Sequence, residues 1–305
     1  MQGLVMKSTG TWIRVGIPDG REVQSRIRGQ LRLRGIDATN PVAVGDRVEL
    51  ELNDDGTGTI LDVMDRSNMI VRKSVKLSRQ TQVLAANIDR AWLVATPAFP
   101  RTSTGFIDRF LAAAESFRIP AGIILNKSDL FTGELEKFTT ELEALYAPLG
   151  YPCIRASAIS GEGIETLRDW FRDKVNLLCG HSGVGKSSLI NALEPQLQLR
   201  TGALSEQHLK GKHTTTFAEM HPLGRSGYLI DTPGIREFVN IDFKPQEIGH
   251  YFTEIRHLLG LCRFNDCLHE NEKDCAVKSA VDAGSISTER YANYLSMLHN
   301  EDIYR

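Results

Sequence analysis

Residues 125–129, LNKSD, and residues 180–188, GHSGVGKSS, decide between them how this chain folds. The first reads as an Asn-Lys-x-Asp loop that recognises guanine, the second as a loop that wraps phosphates. Most domains carrying both place the phosphate loop first. Here it follows the base loop by more than fifty residues. Either one match is an accident, or the domain has been cut and rejoined in a different order.

The later stretch is the more specific. Gly180-His181-Ser182-Gly183-Val184-Gly185-Lys186-Ser187 satisfies G-x-x-x-x-G-K-[ST] in full, after the apolar run NLLC and before the helical sequence SSLINALE that opens at Ser187-Ser188. Its glycines let successive N–H groups turn inward around a β-phosphate, and the helix adds its positive N-terminal end. Lys186 is expected between the β- and γ-phosphates, and the Ser187 hydroxyl on Mg²⁺. Some forty-five residues on, Asp231-Thr232-Pro233-Gly234 closes the run GYLID. There an aspartate can hold Mg²⁺ through water and the Gly234 N–H can meet a γ-phosphate. Between the two motifs lies KGKHTTTFAEM (210–220), polar enough to be a switch loop ordered by the γ-phosphate, with Thr214 or Thr215 reaching the metal.

Asn126, Lys127, Ser128 and Asp129 complete the set. A carboxylate at Asp129 can accept from both guanine N1–H and the exocyclic amine, a donor pair that adenine lacks, and the stem of Lys127 can lie over the base. ASAISGEG (156–163) resembles the loop that supports such an aspartate through Ser157 and offers the Ala158 N–H to the guanine oxygen. A four-residue match is cheap by chance; four concordant motifs in one domain are not. All the pieces are therefore genuine and their order is permuted, which costs little when the site is built from strand-end loops.

The rest of the chain divides around this domain. Of 305 residues 41% are hydrophobic and 24% charged, with net charge −2, an ordinary soluble composition large enough for two or three domains. No long apolar run predicts a membrane span, and the N-terminus lacks a secretory signal, so a cytoplasmic protein is expected. Residues 1–67 read as short strands with turn punctuation, a small barrel of the OB type. Within it Arg26, Arg28, Arg32 and Arg34 share one strand face, suited to a phosphate backbone or simply to solvent. Residues 68–240 alternate apolar runs (88–96, 121–126, 176–180, 226–231) with helical sequence, an α/β doubly wound parallel sheet. Residues 241–305 read as mainly helical, apart from a cluster of three of the five cysteines. Cys262, Cys267, His269 and Cys275 supply three thiolates and an imidazole, a set for one structural, tetrahedral Zn²⁺.

RGQLR, VGDRV, AANID, NKSD, GHSGVGKSS, GKHTTT, DTPG and the Cys/His cluster together resemble the family of ribosome-small-subunit-dependent GTPases, RsgA, over essentially the whole chain. The resemblance implies an OB barrel, a circularly permuted GTPase domain and a zinc module. It also implies GTP hydrolysis to GDP during late small-subunit maturation, with the subunit and its rRNA as partners. A GTP-regulated factor acting on another RNA, such as tRNA, fits the basic barrel equally well. Nothing requires more than a monomer. Ile235 follows DTPG where Ras-like switches carry a water-orienting glutamine, so hydrolysis should be slow without the partner. His213 resembles the family's switch histidine and is the candidate to orient or deprotonate water. Because DTPGIREF leads directly into the zinc module, bound GTP could set that module's orientation.

Overall fold

Alternation of apolar and polar residues over five short runs near the N-terminus yields β1 (Gln2–Ser8), β2 (Ile13–Gly16), β3 (Glu22–Ile27), β4 (Arg47–Leu52) and β5 (Gly58–Val63). Inward positions Val5, Ile13, Val15, Val23, Val48, Leu50 and Ile60 form a common core. Pairing runs β1–β2–β3–β5–β4 and returns from β4 to β1, with β3 and β5 parallel and the other pairs antiparallel. The ring closes as an OB-type barrel, which leaves no free edge. The computed structural model describes residues 1–28, 41–73, 81–198, 218–224, 226–231, 238, 241 and 243–300. Most of RGQLR, with Arg32 and Arg34 of the predicted arginine face, lies outside the described residues; Arg26 and Arg28 are exposed.

VGDRV and AANID meet at the base of the barrel. Gly45 stands at φ 88°, and a β-carbon there would lie 2.0 Å from the Ala86 carbonyl oxygen. Only glycine permits that approach. The Ala86 N–H donates to Val44 O, and Asn87 Nδ2 donates to Gly45 O. Asp46, fully buried, is paired with Arg66 at 2.7 Å.

The hairpin β6 (Met69–Lys73) and β7 (Thr81–Ala86), which the sequence reading did not resolve, leads into β8 (Arg90–Ala95). Next come α1 (Thr104–Ser116), β9 (Ala121–Asn126), α2 (Glu134–Tyr146), β10 (Cys153–Ala156), α3 (Ile164–Phe171), β11 (Val175–Cys179) and α4 (Lys186–Leu193). The edge is completed by β12 (Glu219–Leu223) and β13 (Gly227–Asp231). The order β10-β9-β8-β11-β13 is parallel, and β12 is antiparallel to β13. Both faces are covered, as continuous apolar strands require. Leu93, Ala95, Ile123 and Leu125 pack under α1 and α2. Trp92, Val94, Ile124 and Leu178 pack under α3 and α4. Helix α1 is capped by Ser103 and ends at Ser116, and Arg118 turns into the left-handed region at φ 57° just beyond it.

The C-terminal part contributes short helical turns at Pro245–Ile248 and Thr253–Arg256, then α5 (Ala276–Asp282) and α6 (Thr288–Leu298). Its core of Ile248, Phe252, Ile255, Val277, Tyr294 and Met297 includes Ala112 of α1. Arg290 of α6 is buried at that seam, donating to Asp108 of α1 (2.5 Å) and to both oxygens of Glu254 (2.7 and 2.9 Å). At the opposite side Lys7 of β1 pairs with Glu219 of β12, so barrel and α/β sheet run on as one sheet of 11 strands. Lys7 Nζ binds one Glu219 oxygen at 2.6 Å and Arg14 binds the other. Burial pushes the Glu219 carboxyl up, but these two cations outweigh it and hold it below the usual range.

Candidate functional site

Four loops meet at the C-terminal ends of the parallel strands. Strand β11 delivers Gly180, whose backbone stands at φ 147° with Val94 O 2.5 Å from where a β-carbon would sit. The loop then turns through Gly183 and Gly185, at φ 84° and 92°, before α4 begins at Lys186. Val184 is fully buried under α4 and anchors the loop to the core, while Ser182 and Gly183 are exposed. Lys186 Nζ donates to the carbonyls of Gly180 (2.6 Å) and His181 (2.7 Å), which holds the ammonium inside the loop. His181 packs against Phe106 of α1, ring centroids 3.8 Å apart. Ser187 and Ser188 occupy the first turn of α4, half-buried. Burial pushes the neighbouring Cys179 thiol up to about 12, so it stays protonated.

The base loop is tied to this turn directly. Asn126 ends β9, 2% exposed, and its Nδ2 donates to Val184 O at 2.7 Å. A β-carbon on Gly185 would lie 2.6 Å from the same Nδ2. The other amide atom, Asn126 Oδ1, is buried without a hydrogen-bond partner among the described residues. A buried acceptor left unpaired is costly, and a ligand donor could satisfy it. Lys127 takes the left-handed conformation at φ 66° and donates to the Phe99 carbonyl. Asp129, exposed, accepts from the fully buried Ser157 hydroxyl at 2.5 Å. Ser157 Oγ in turn accepts from the N–H groups of Ile159 and Ser160, both at 3.1 Å. Ser128 donates to Glu162 at 2.7 Å, a second strap between the base loop and the 156–163 loop, and Ala158 is half-buried beside it.

Strand β13 runs parallel to β11, pairing Leu177 with Ile230, so the backbone of Asp231 ends alongside the strand that feeds the phosphate loop. The Asp231 side chain, His213, Thr214, Thr215, Gly234 and Ile235 lie outside the described residues. Ser187 with an aspartate and a threonine is an all-oxygen donor set, the chemistry Mg²⁺ takes.

At the other end of the chain Cys262, Cys267, His269 and Cys275 place their donor atoms within 4.8 Å of one another. His269 Nδ1 is 3.5 Å from both Cys262 and Cys275 sulfurs, which are 3.9 Å apart. Tetrahedral Zn²⁺ with bonds of about 2.3 Å to sulfur and about 2.0 Å to nitrogen implies edges of about 3.8 and about 3.5 Å. Cys262, His269 and Cys275 match those edges, and Cys267 lies within 4.8 Å of them, so the donor set suits that ion. Tyr291 and Tyr294 donate to the carbonyls of His269 and Leu268, fixing the turn that carries the imidazole.

The barrel presents a third surface. Arg26 stacks over Trp12 at 3.9 Å, and a cleft beside it is lined by Lys7, Thr9, Trp12, Arg14 and Gln24. Lys7 and Arg14 are already paired with Glu219, so Arg26 and the half-exposed indole are what this cleft offers an RNA chain, in which phosphates and base faces alternate. Sequence reasoning anticipated arginines here but not Trp12. It also missed the loop at Phe99, which touches both nucleotide motifs yet carries none of their signature residues.

Comparison with known proteins agrees with this arrangement. A family model described as RsgA GTPase matches residues 63–240, and one described as the RsgA N-terminal domain matches residues 2–60. Small ribosomal subunit biogenesis GTPase RsgA of Bacteroides fragilis is 49% identical over 302 residues, 99% of this chain and 97% of its own length. The protein of the same name from Flavobacterium psychrophilum is 45% identical, over 99% and 94%. The crystal structure of YjeQ from Thermotoga maritima superposes with TM-score 0.81 at 35% identity, covering 100% of this chain and 99% of that one. YloQ, described as a circularly permuted GTPase, gives TM-score 0.74 at 28% identity, over 98% and 94%.

Proposed function

The chain belongs to the RsgA family and is a GTP hydrolase of small-ribosomal-subunit biogenesis, and from that premise we propose how its residues divide the work. Gly180 to Ser188 cradle the phosphates of GTP with backbone N–H groups, and the Lys186 ammonium shifts from the loop carbonyls to the β- and γ-phosphate oxygens. Ser187, one of Thr214 and Thr215, and Asp231 would hold Mg²⁺, which when bound neutralises charge on those oxygens. The Gly234 N–H meets the γ-phosphate. Asp129, already oriented by Ser157, reads guanine; Lys127 lies along the base; the Ala158 N–H meets the guanine oxygen. His213 orients or deprotonates the attacking water, a task Ile235 cannot perform.

The observation that carries this reading is the hydrogen bond from Asn126 to Val184. It ties a base-recognition loop directly to a phosphate loop that follows it in sequence, as one shared nucleotide site requires. Cys262, Cys267, His269 and Cys275 hold one structural zinc ion. The cationic barrel face, with Arg26 and Trp12, contacts rRNA of the small subunit, and the protein works as a cytoplasmic monomer.

The test is multiple-turnover GTP hydrolysis with and without purified small subunits, with Lys186→Ala and His213→Ala alongside. Subunits should stimulate the wild type. Lys186→Ala should abolish turnover through lost nucleotide binding, and His213→Ala should lose the stimulation while still binding GTP. Stimulation by tRNA rather than by subunits would reassign the partner, and full stimulation of His213→Ala would remove that residue from the chemistry.

A further inference from the structure

Between β8 and α1 the chain reads TPAFPRTS (96–103), outside every nucleotide motif named above. The segment is closely tied. The Thr102 N–H donates to Thr96 O at 2.8 Å, the Thr96 N–H to Thr102 Oγ1 at 3.1 Å, and Thr96 Oγ1 to the Pro100 carbonyl. Both threonines are 1% exposed. Arg101 is drawn aside over the Phe138 ring at 4.8 Å. In this frame Phe99 is held at φ 53°, a conformation that phenylalanine rarely adopts, and is 76% exposed. A large apolar ring kept in water by a strained backbone points to a ligand or partner rather than to packing.

Its neighbours indicate which. The Phe99 carbonyl accepts from Lys127 Nζ of the base loop. Pro100 Cδ lies 3.4 Å from where a β-carbon on Gly183 of the phosphate loop would be. Residue 99 therefore stands beside both loops, next to the path of a nucleotide that would bridge them. We propose that Phe99 is a further nucleotide-positioning residue, its ring closing over the sugar–base side of a bound guanine nucleotide and slowing its release. Contact between an aromatic face and a sugar or base excludes water from that side and is indifferent to the phosphate count, so GDP and GTP are retained alike. Lys127 gains a second task, since its bond to the Phe99 carbonyl couples base recognition to the position of the ring.

The inference rests on the guanine-nucleotide reading of the site. Its test is release of tritium-labelled GDP from the full chain after dilution into excess unlabelled GDP, for the wild type, Phe99→Ala and Phe99→Tyr. Phe99→Ala should release GDP about tenfold faster. Phe99→Tyr, which keeps the ring, should stay within about twofold of the wild type. Melting temperatures should stay within about 2 °C of one another, because an exposed ring adds little to the fold. Unchanged release from Phe99→Ala overturns the inference while leaving the nucleotide site standing, and would assign the ring to a partner surface. Failure of the tyrosine to restore slow release also overturns it. No GDP bound by the wild type would overturn the nucleotide reading and this inference with it.

Discussion

Single residues carry the site's tolerances. Gly185 is the sharpest case: at φ 92°, with Asn126 Nδ2 2.6 Å from a would-be β-carbon, Gly185→Ala meets both backbone strain and a collision. GDP affinity, read by calorimetry, should fall by more than about tenfold while the far-ultraviolet circular dichroism is unchanged. Asp129→Asn probes the other end of the pocket. The amide presents a donor where guanine also donates, so GDP affinity should drop by about ten- to a hundredfold. Xanthosine diphosphate, with an acceptor at that ring position, should recover much of the loss; equal weakening toward both nucleotides would sink the role given to Asp129. Gly185 and Asp129 could be proposed from the sequence because the spacing of such residues is dictated by chemistry that any guanine pocket shares. Phe99 could not, because its position depends on two threonine hydrogen bonds and a left-handed turn that no short motif encodes.

At the scale of elements, α1 lies between the phosphate loop and the C-terminal module, touching His181 through Phe106 and Arg290 through Asp108. Arg290→Met would leave the Asp108 and Glu254 carboxylates buried without their cation, a loss of about 3–5 kcal/mol. Differential scanning calorimetry should show a melting temperature lower by on the order of 10 °C. Burial pushes the Glu254 carboxyl up, but the two Arg290 hydrogen bonds outweigh this and hold it below its ordinary 4.5. A folded value below the unfolded one makes this contribution complete above the ordinary carboxylate range, and it drains away as pH falls through the depressed folded value. The gap in melting temperature between wild type and Glu254→Gln should therefore be constant from about pH 7 to about pH 5 and narrow below about pH 4. A gap that persists unchanged at pH 3 would contradict it. The apolar runs foretold β8, β9, β11 and β13, since fully buried segments announce themselves. Periodicity passed over α2 and α3, where mixed polar faces dilute the pattern, and over the hairpin β6–β7, which also meets the chain at Val44 through a single bridge to Ala85.

Across the described residues, a barrel core, the two cores on either face of the α/β sheet and a C-terminal core meet at two seams of different kinds. The C-terminal core is small, and its cysteine cluster sits where the chain has little other regular structure between residues 257 and 275. A unit this small with such a donor cluster is expected to need a bound metal to fold. Freshly purified protein should carry about one zinc per chain, and stripping it with a strong chelator should expose the amides of 253–298 to hydrogen exchange while β8, β9 and β11 keep their protection. Metal analysis finding well under one equivalent, or uniform protection after chelation, would count against the site. The other seam is a sheet junction. Strand β12 opens only a few residues after Thr215, and Glu219 within it is gripped by Lys7 and Arg14 of the barrel. Strand β12 is thus shared between two walls, hydrogen-bonded to β13 of the α/β sheet on one side and moored on β1 of the barrel on the other. Any torque on the barrel as it seats against a large surface therefore bears directly on the edge of the sheet whose strand β11 feeds the phosphate loop.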